Sequence, residues 1–245
     1  MPARAALAAA VLALRATLFP LPATAQTHFV PSAVEPAKQP GHLVSRRVVA
    51  VAGLLLAGAL MGDHEFQEEA QEHRDGVTNS AAQLGNTFGD WRFIVPAITA
   101  GYVAGDIAGS SAVKRTAVRA GAAAALATAL AGGLKYAVGR ARPSAAGGSF
   151  DFRPFSGASS FPSGHTAVAF ALATAVADQT HDRWSDYALY GAATLTALAR
   201  INDNRHWASD VLVGGLVGHL SARWVTRRMG PLQVTPAGLS VYLRF

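Results

Sequence analysis

The chain has 245 residues and a formal net charge of +6, with 51% hydrophobic and 15% charged residues. Ordinary soluble domains carry about 25% charge, so the composition is membrane-leaning or that of an Ala-rich helical protein. Cysteine is absent, which excludes disulfides, thiol catalysis and Cys-ligated metals. No nucleic-acid-binding signature accompanies the scattered arginines, so the positive charge points to phosphates or anionic lipid and not to nucleic acid.

Residues 1–25 read as a signal peptide: Arg4 supplies the positive start, Ala5–Leu14 the apolar run and Ala23-Thr24-Ala25 the small-residue cleavage site, with Arg15 interrupting the core. Residues 26–44 hold three prolines and little periodicity, the mark of a linker. Residues 45–230 are expected to form one helical domain, because the apolar runs are rich in Ala and Gly and poor in β-branched residues.

Six apolar runs are helix candidates: Val48–Met61, Phe93–Gly105, Ala120–Leu134, Thr166–Ala177, Tyr187–Ala199 and Val211–Leu220. Gly101, Gly105 and Gly109 recur every four residues and are expected on one close-packed helix face, with Gly214, Gly215 and Gly218 doing the same in the last helix. The acidic stretch Asp63–Asp75 reads as a solvated helix face, on which His64 and Glu68 meet; a metal site there is the less favoured alternative. Gly147–Ser160 should be a loop, and its Phe150, Phe152 and Phe155, with Phe161, are expected to pack over the neighbouring site or to meet an acyl chain. Residues 231–245 are a C-terminal tail or hairpin, since Leu239, Val241, Leu243 and Phe245 alternate with polar residues.

Three short segments carry the chemistry. In the first, Lys135 closes the Ala-rich helix and Arg142 follows seven residues later, before Pro143, which turns the chain. Alone, two such cations are no more than a solvated helix end. In the second, Phe161-Pro162-Ser163-Gly164-His165 runs straight into an apolar helix. Ser163 is a natural N-cap, Gly164 permits close backbone approach, and the free N–H groups of a helix start bind phosphate. In the third, Arg200 precedes His206, and Asp210 lies four residues beyond it, one helical turn away.

Together these segments supply Lys, two Arg, Ser, Gly, two His and one Asp, all at helix ends. Cations and N–H groups suit the equatorial oxygens of a phosphoryl group, while one imidazole attacks in line and the other protonates the leaving oxygen. The residues alone do not choose which histidine attacks, although only His206 has an acid four residues away, suited to fix its tautomer.

The pattern Lys-x6-Arg-Pro, Pro-Ser-Gly-His and Arg-x5-His-x3-Asp resembles the type 2 phosphatidic acid phosphatase superfamily, which includes acid phosphatases, lipid phosphatases and vanadium haloperoxidases. The resemblance covers residues 135–210 directly. It implies an all-α bundle of the acid phosphatase/vanadium-dependent haloperoxidase type, here with a short C-terminal β-like tail, and a phosphatase that needs no metal. It makes His206 the nucleophile, Asp210 its orienting acid and His165 the general acid and base. Lys135, Arg142, Ser163, Gly164 and Arg200 bind the phosphate. Vanadate is then an inhibitor or, in the haloperoxidase alternative, a cofactor; a non-enzymatic envelope binding protein is the remaining reading. One departure stands out: the third motif usually opens Ser-Arg, and here it reads Ala199-Arg200.

The expected substrate is a phosphorylated lipid, an isoprenoid pyrophosphate or a small soluble monoester. In an up-and-down bundle all three segments fall at one end, and Lys114, Arg115, Arg119, Arg223, Arg227 and Arg228 fall at the other. The positive-inside rule would then turn the site toward the periplasm in a multi-pass inner-membrane protein. A cleaved signal gives the wrong parity for that topology. The apolar runs are also shorter than the roughly 20 residues a span needs, which favours a periplasmic or peripheral bundle.

Overall fold

The computed structural model describes residues 46–145, 147–180, 182–228, 233–235 and 238–240. The expected signal peptide and linker lie outside these residues, as do the last five positions of the tail.

Among the described residues seven helices follow one another: α1 (Arg46–Glu72), α2 (Gly76–Thr87), α3 (Trp91–Ile107), α4 (Ser111–Val138), α5 (Gly164–Thr180), α6 (Arg183–Asn202) and α7 (Ala208–Arg228). Two three-residue strands, β1 (Gln233–Thr235) and β2 (Gly238–Ser240), pair antiparallel with Val234 opposite Leu239. The chain divides into two compact units between Met61 and Gly62. In the first, α1 carries exposed Leu54 and Met61. Everything below concerns the second.

The helix boundaries have local causes. Asp75 and Thr78 form a capping box that starts α2, with the Asp75 carboxylate accepting from Thr78 N at 2.7 Å. No apolar run marks α2 in the sequence, so its only signal was this cap. Asp90, Ser110 and Asp182 accept from first-turn N–H groups of α3, α4 and α6. At the far end of α4, Gly139 sits at φ 58°, ψ 44°, and its N–H donates to Lys135 O at 2.9 Å. Only glycine takes this left-handed conformation without cost, so the helix stops there.

The core is built from alanine. Ala123, Ala127 and Ala131 of α4, Ala167, Ala171 and Ala175 of α5, and Ala222 with Val225 of α7 form one buried cluster. α5 is its axis and packs against α4, α6 and α7, while α2 packs on α6 and α3 on α4. Such small side chains fill the core only if the backbones come close, so contact area comes from proximity and not from side-chain volume. Gly214 and Gly218 of α7 allow this, since a Cβ on either would run into the carbonyl of Ser163 or Ala167. Gly105 serves α3 in the same way against Lys114. Gly109 departs from the expected stripe: α3 ends at Ile107, and Gly109 turns the chain at φ 63°.

By length and composition α4 is the one described helix long and apolar enough to cross a membrane.

Candidate active site

The three segments converge. Lys135 ends α4, the Arg140–Phe161 connection follows, His165 stands in the first turn of α5, Arg200 ends α6, and His206 precedes α7. Arg142 is not on the helix of Lys135, because Gly139 has already ended it. The two cations meet instead at one loop residue: Lys135 Nζ donates to Ser159 O at 2.6 Å, and Arg142 Nη2 donates to Ser159 Oγ at 3.1 Å. A Cβ placed on Gly164 would stand 3.8 Å from Lys135 Cε, so Lys135 reaches over the start of α5. Ser163 immediately precedes that helix. It is fully buried, its hydroxyl accepts from Thr166 Oγ1 at 2.9 Å, and its N–H donates to Asp210 O.

Arg200 brings the third segment in through its backbone and its side chain. Its carbonyl accepts from the N–H of His206 at 3.2 Å, and Nη1 donates to Asn86 Oδ1 of α2 at 2.7 Å. This accounts for the Ala199 departure. Ala199 is buried against α2, where a Cβ on Gly85 would come within 3.1 Å of its own Cβ, so a hydroxyl at 199 would face tight packing. The polar partner that positions Arg200 comes from Asn86.

His206 is only 3% exposed, and its Nδ1 lies 3.6 Å from Asp210 Oδ2. That separation is too long for a hydrogen bond, and Nδ1 has no other partner among the described residues. Burial pushes the His206 imidazole down to about 4, with Lys135 and Arg200 adding to the shift and Asp210 opposing it. Burial likewise lowers His165 to about 4, with Arg200, Lys135 and Arg142 pressing the same way. Lys135 falls to about 8, chiefly by desolvation. The charges of Lys135 and Arg200 thus reach both imidazoles, which stay neutral near pH 7.

Behind His206 lies a group that the motifs do not contain. Arg140 and Asp63 are both wholly buried. Arg140 Nη2 donates to Asp63 Oδ2 at 2.7 Å, Nη1 to Asp210 Oδ1 at 2.7 Å and to Ser209 Oγ at 2.6 Å, and Nε to Ser149 O at 2.9 Å. Phe152 and Trp207 flank the guanidinium, with ring centroids 5.1 and 5.4 Å from its central carbon. Burial raises the Asp210 carboxyl, but His206, Arg140 and Ser160 outweigh it and hold the group below its ordinary value. Asp63 corrects the sequence reading of Asp63–Asp75 as a solvated face. His64 and Glu68 are an exposed pair at 3.2 Å, as that reading requires, whereas Asp63 points into the protein. Glu69, Glu72 and His73 bring three potential ligand atoms within 4.8 Å of one another on the same helix, at or near the surface.

The aromatic loop also differs from the packing expected of it. Phe150 and Phe155 are 64% and 66% exposed, Phe161 is half-buried, and Phe152, still partly exposed, lies over Arg140.

A PAP2 superfamily model matches residues 116–233, which take in all three segments. That stretch of the chain is similar to the PAP2 superfamily. Over 88 residues, 35% of this chain, it is 46% identical to the lipid A 1-phosphatase of Porphyromonas gingivalis, and the match spans 18% of that relative. Among solved structures, LpxE of Aquifex aeolicus superposes with a TM-score of 0.55 at 23% identity, covering 67% of this chain and 94% of that one. The PAP2-type phosphatidylglycerolphosphate phosphatase of Bacillus subtilis gives 0.54 at 19% identity, covering 73% and 94%. These two likenesses concern the PAP2 fold, and they agree with the all-helical architecture expected from the sequence.

Proposed function

We propose that the chain is a metal-independent phosphatase that removes a phosphate monoester from a lipid at a membrane surface, through a phosphohistidine on His206. The observation that carries this is the buried His206–Asp210 pair inside the field of Lys135 and Arg200. In the first step His206 Nε2 bonds to phosphorus in line with the leaving oxygen, whose P–O bond breaks while His165 gives that oxygen a proton. His165 then takes a proton from water, which attacks the phosphohistidine; the N–P bond breaks, and inorganic phosphate leaves. Lys135, Arg142, Arg200 and the α5 N–H groups hold the equatorial oxygens throughout. His165 is neutral in the empty site, and the charge of an arriving phosphate favours its protonated form.

A lipid is favoured over a small soluble ester by the surface beside the site. Leu130, Leu134 and Tyr136 near the end of α4, and Phe150 and Phe155 of the connection that follows, are exposed apolar side chains. Tyr136 and Phe155 meet edge to face at 5.2 Å. The names of the relatives, which specify lipid A and phosphatidylglycerolphosphate, agree in kind. The basic residues at the opposite helix ends support a site turned to the periplasm.

A phosphate-release screen tests the reading, with phosphatidic acid, phosphatidylglycerolphosphate, lipid A and small monoesters, each with and without EDTA. Lipid substrates should release phosphate in EDTA, vanadate should inhibit, and His206→Ala should lose activity by about three orders of magnitude or more. Normal turnover by His206→Ala, or a strict need for metal, overturns it.

A further inference from the structure

We infer that Asp63 is a positioning residue of the His206 site, acting through Arg140 to leave the buried carboxylate pair with one net negative charge facing His206 Nδ1. The inference rests on the phosphohistidine reading above and extends it to Asp63, outside the three motifs, and to Arg140, an unassigned position within the first.

The geometry is direct. One guanidinium donates to two carboxylates, Asp63 and Asp210, and the side chains of all three have no solvent exposure. One positive and two negative groups sum to a single negative charge. With Arg140 and Asp210 alone the cluster would be neutral. The imidazole gains positive charge as Nε2 bonds to phosphorus, and a neutral pair behind it would do little to stabilise that charge. Burial raises the Asp63 carboxyl while its bonds to Ser209 and Arg140 favour the ionised form, and with little water to screen it the second carboxylate acts more strongly than it would at the surface.

Asp63 also holds Asp210 in place mechanically. Its Oδ1 accepts from Ser209 N at 2.8 Å and its Oδ2 from Ser209 Oγ at 2.6 Å, which fixes the residue just before Asp210. Asp210 Oδ1 is taken by Arg140, so Oδ2 is the oxygen left toward His206. Ser160 Oγ and Trp207 N donate to that Oδ2 at 2.5 and 2.9 Å, setting its direction. Asp63 touches neither the imidazole nor the phosphate cradle, and its whole effect passes through Arg140 and Ser209.

The test uses the full chain acting on phosphatidic acid vesicles, comparing the parent, His206→Ala, Asp63→Asn and the double variant Asp63→Asn/Arg140→Gln. Parent turnover that His206→Ala abolishes establishes the underlying reading; if the parent is inactive or His206→Ala is active, that reading fails first. Asp63→Asn should lower kcat about 100-fold with KM within about threefold. It should also move the acid limb of kcat toward lower pH, because a negative charge near the imidazole is lost. The double variant returns the cluster to one negative charge, on Asp210, and should recover at least about tenfold over Asp63→Asn. A purely structural pair predicts the reverse, a double variant worse than Asp63→Asn, because Asp210 loses its buried counter-charge. If Asp63→Asn melts too early to assay, the double variant decides alone: measurable turnover supports the inference, and none overturns it. Parent-level kcat in Asp63→Asn, or a double variant no better than the single one, also overturns it.

Discussion

Arg200 is held by Asn86, whose Oδ1 accepts from Nη1 at 2.7 Å while its Nδ2 donates to Asp203 Oδ2 at 2.8 Å. Asn86 therefore fixes both the guanidinium and the turn that follows it. Asn86→Leu should leave Arg200 charged but unanchored, raising KM for a phosphate substrate about tenfold or more. Steady-state kinetics reads this directly. An unchanged KM would mean that Arg200 finds its place without α2.

Asp210→Asn keeps the shape of the buried cluster and removes the charge behind His206. We expect kcat to fall by about 10²–10⁴, less than for His206→Ala, because Asp210 orients and stabilises without attacking. Single-turnover trapping of phosphohistidine should show its formation slowed. Equal losses in the two variants would contradict the division of roles.

Gly214 faces the carbonyl of Ser163, which a Cβ would approach to 2.5 Å. Gly214→Ala should cost about 1–3 kcal/mol of stability by overpacking, seen as a lower denaturant midpoint. It should also impair turnover, because the displaced segment carries Ser163, Gly164 and His165. A variant with parent stability would show that α7 can shift outward freely.

Stability should fall in acid for a reason located in α7. Burial lowers His219 to about 4, against an ordinary value near 6.5, while Thr174 Oγ1 lies 3.1 Å from its Nδ1. The unfolded chain therefore takes up a proton first. The contribution of this residue is intact above about pH 6.5 and is lost progressively as pH falls toward about 4, amounting to order 1–2 kcal/mol at pH 5. His219→Leu should flatten the decline in melting temperature between pH 7 and 4.5 without changing phosphate binding. An equally steep decline would place the acid sensitivity elsewhere, with His206 and His165 next in line.

The parts of this molecule that were legible in advance are those in which local pattern and tertiary role coincide. Apolar runs marked six helices, and the proposed phosphate ligands other than Arg142 sit at helix ends, where caps and breakers announce themselves. α2 was missed because a capping box at Asp75 and a small, polar helix leave no apolar stripe to read. Asp63 was misread because its neighbours His64 and Glu68 are solvated, and a single inward carboxylate in an acidic stretch has no signature of its own. Its partner Arg140 lies inside the first motif segment, yet nothing in its spacing separates a buried bridge from a third phosphate ligand. Asn86 was likewise invisible, since its role follows only from how α2 meets α6.

Trp207 follows His206 directly, and its indole N–H donates to Ala141 O at 2.9 Å, one residue before Arg142. In the proposed mechanism the attacking ring and the anion cradle are therefore lashed to the same short stretch of backbone. A larger or differently angled substrate cannot be accommodated by letting the cradle yield, because the imidazole would travel with it. Substrate preference in such a molecule is free to change at the outer rim, among exposed side chains such as Phe150 and Phe155, while the distance over which the N–P bond forms stays fixed.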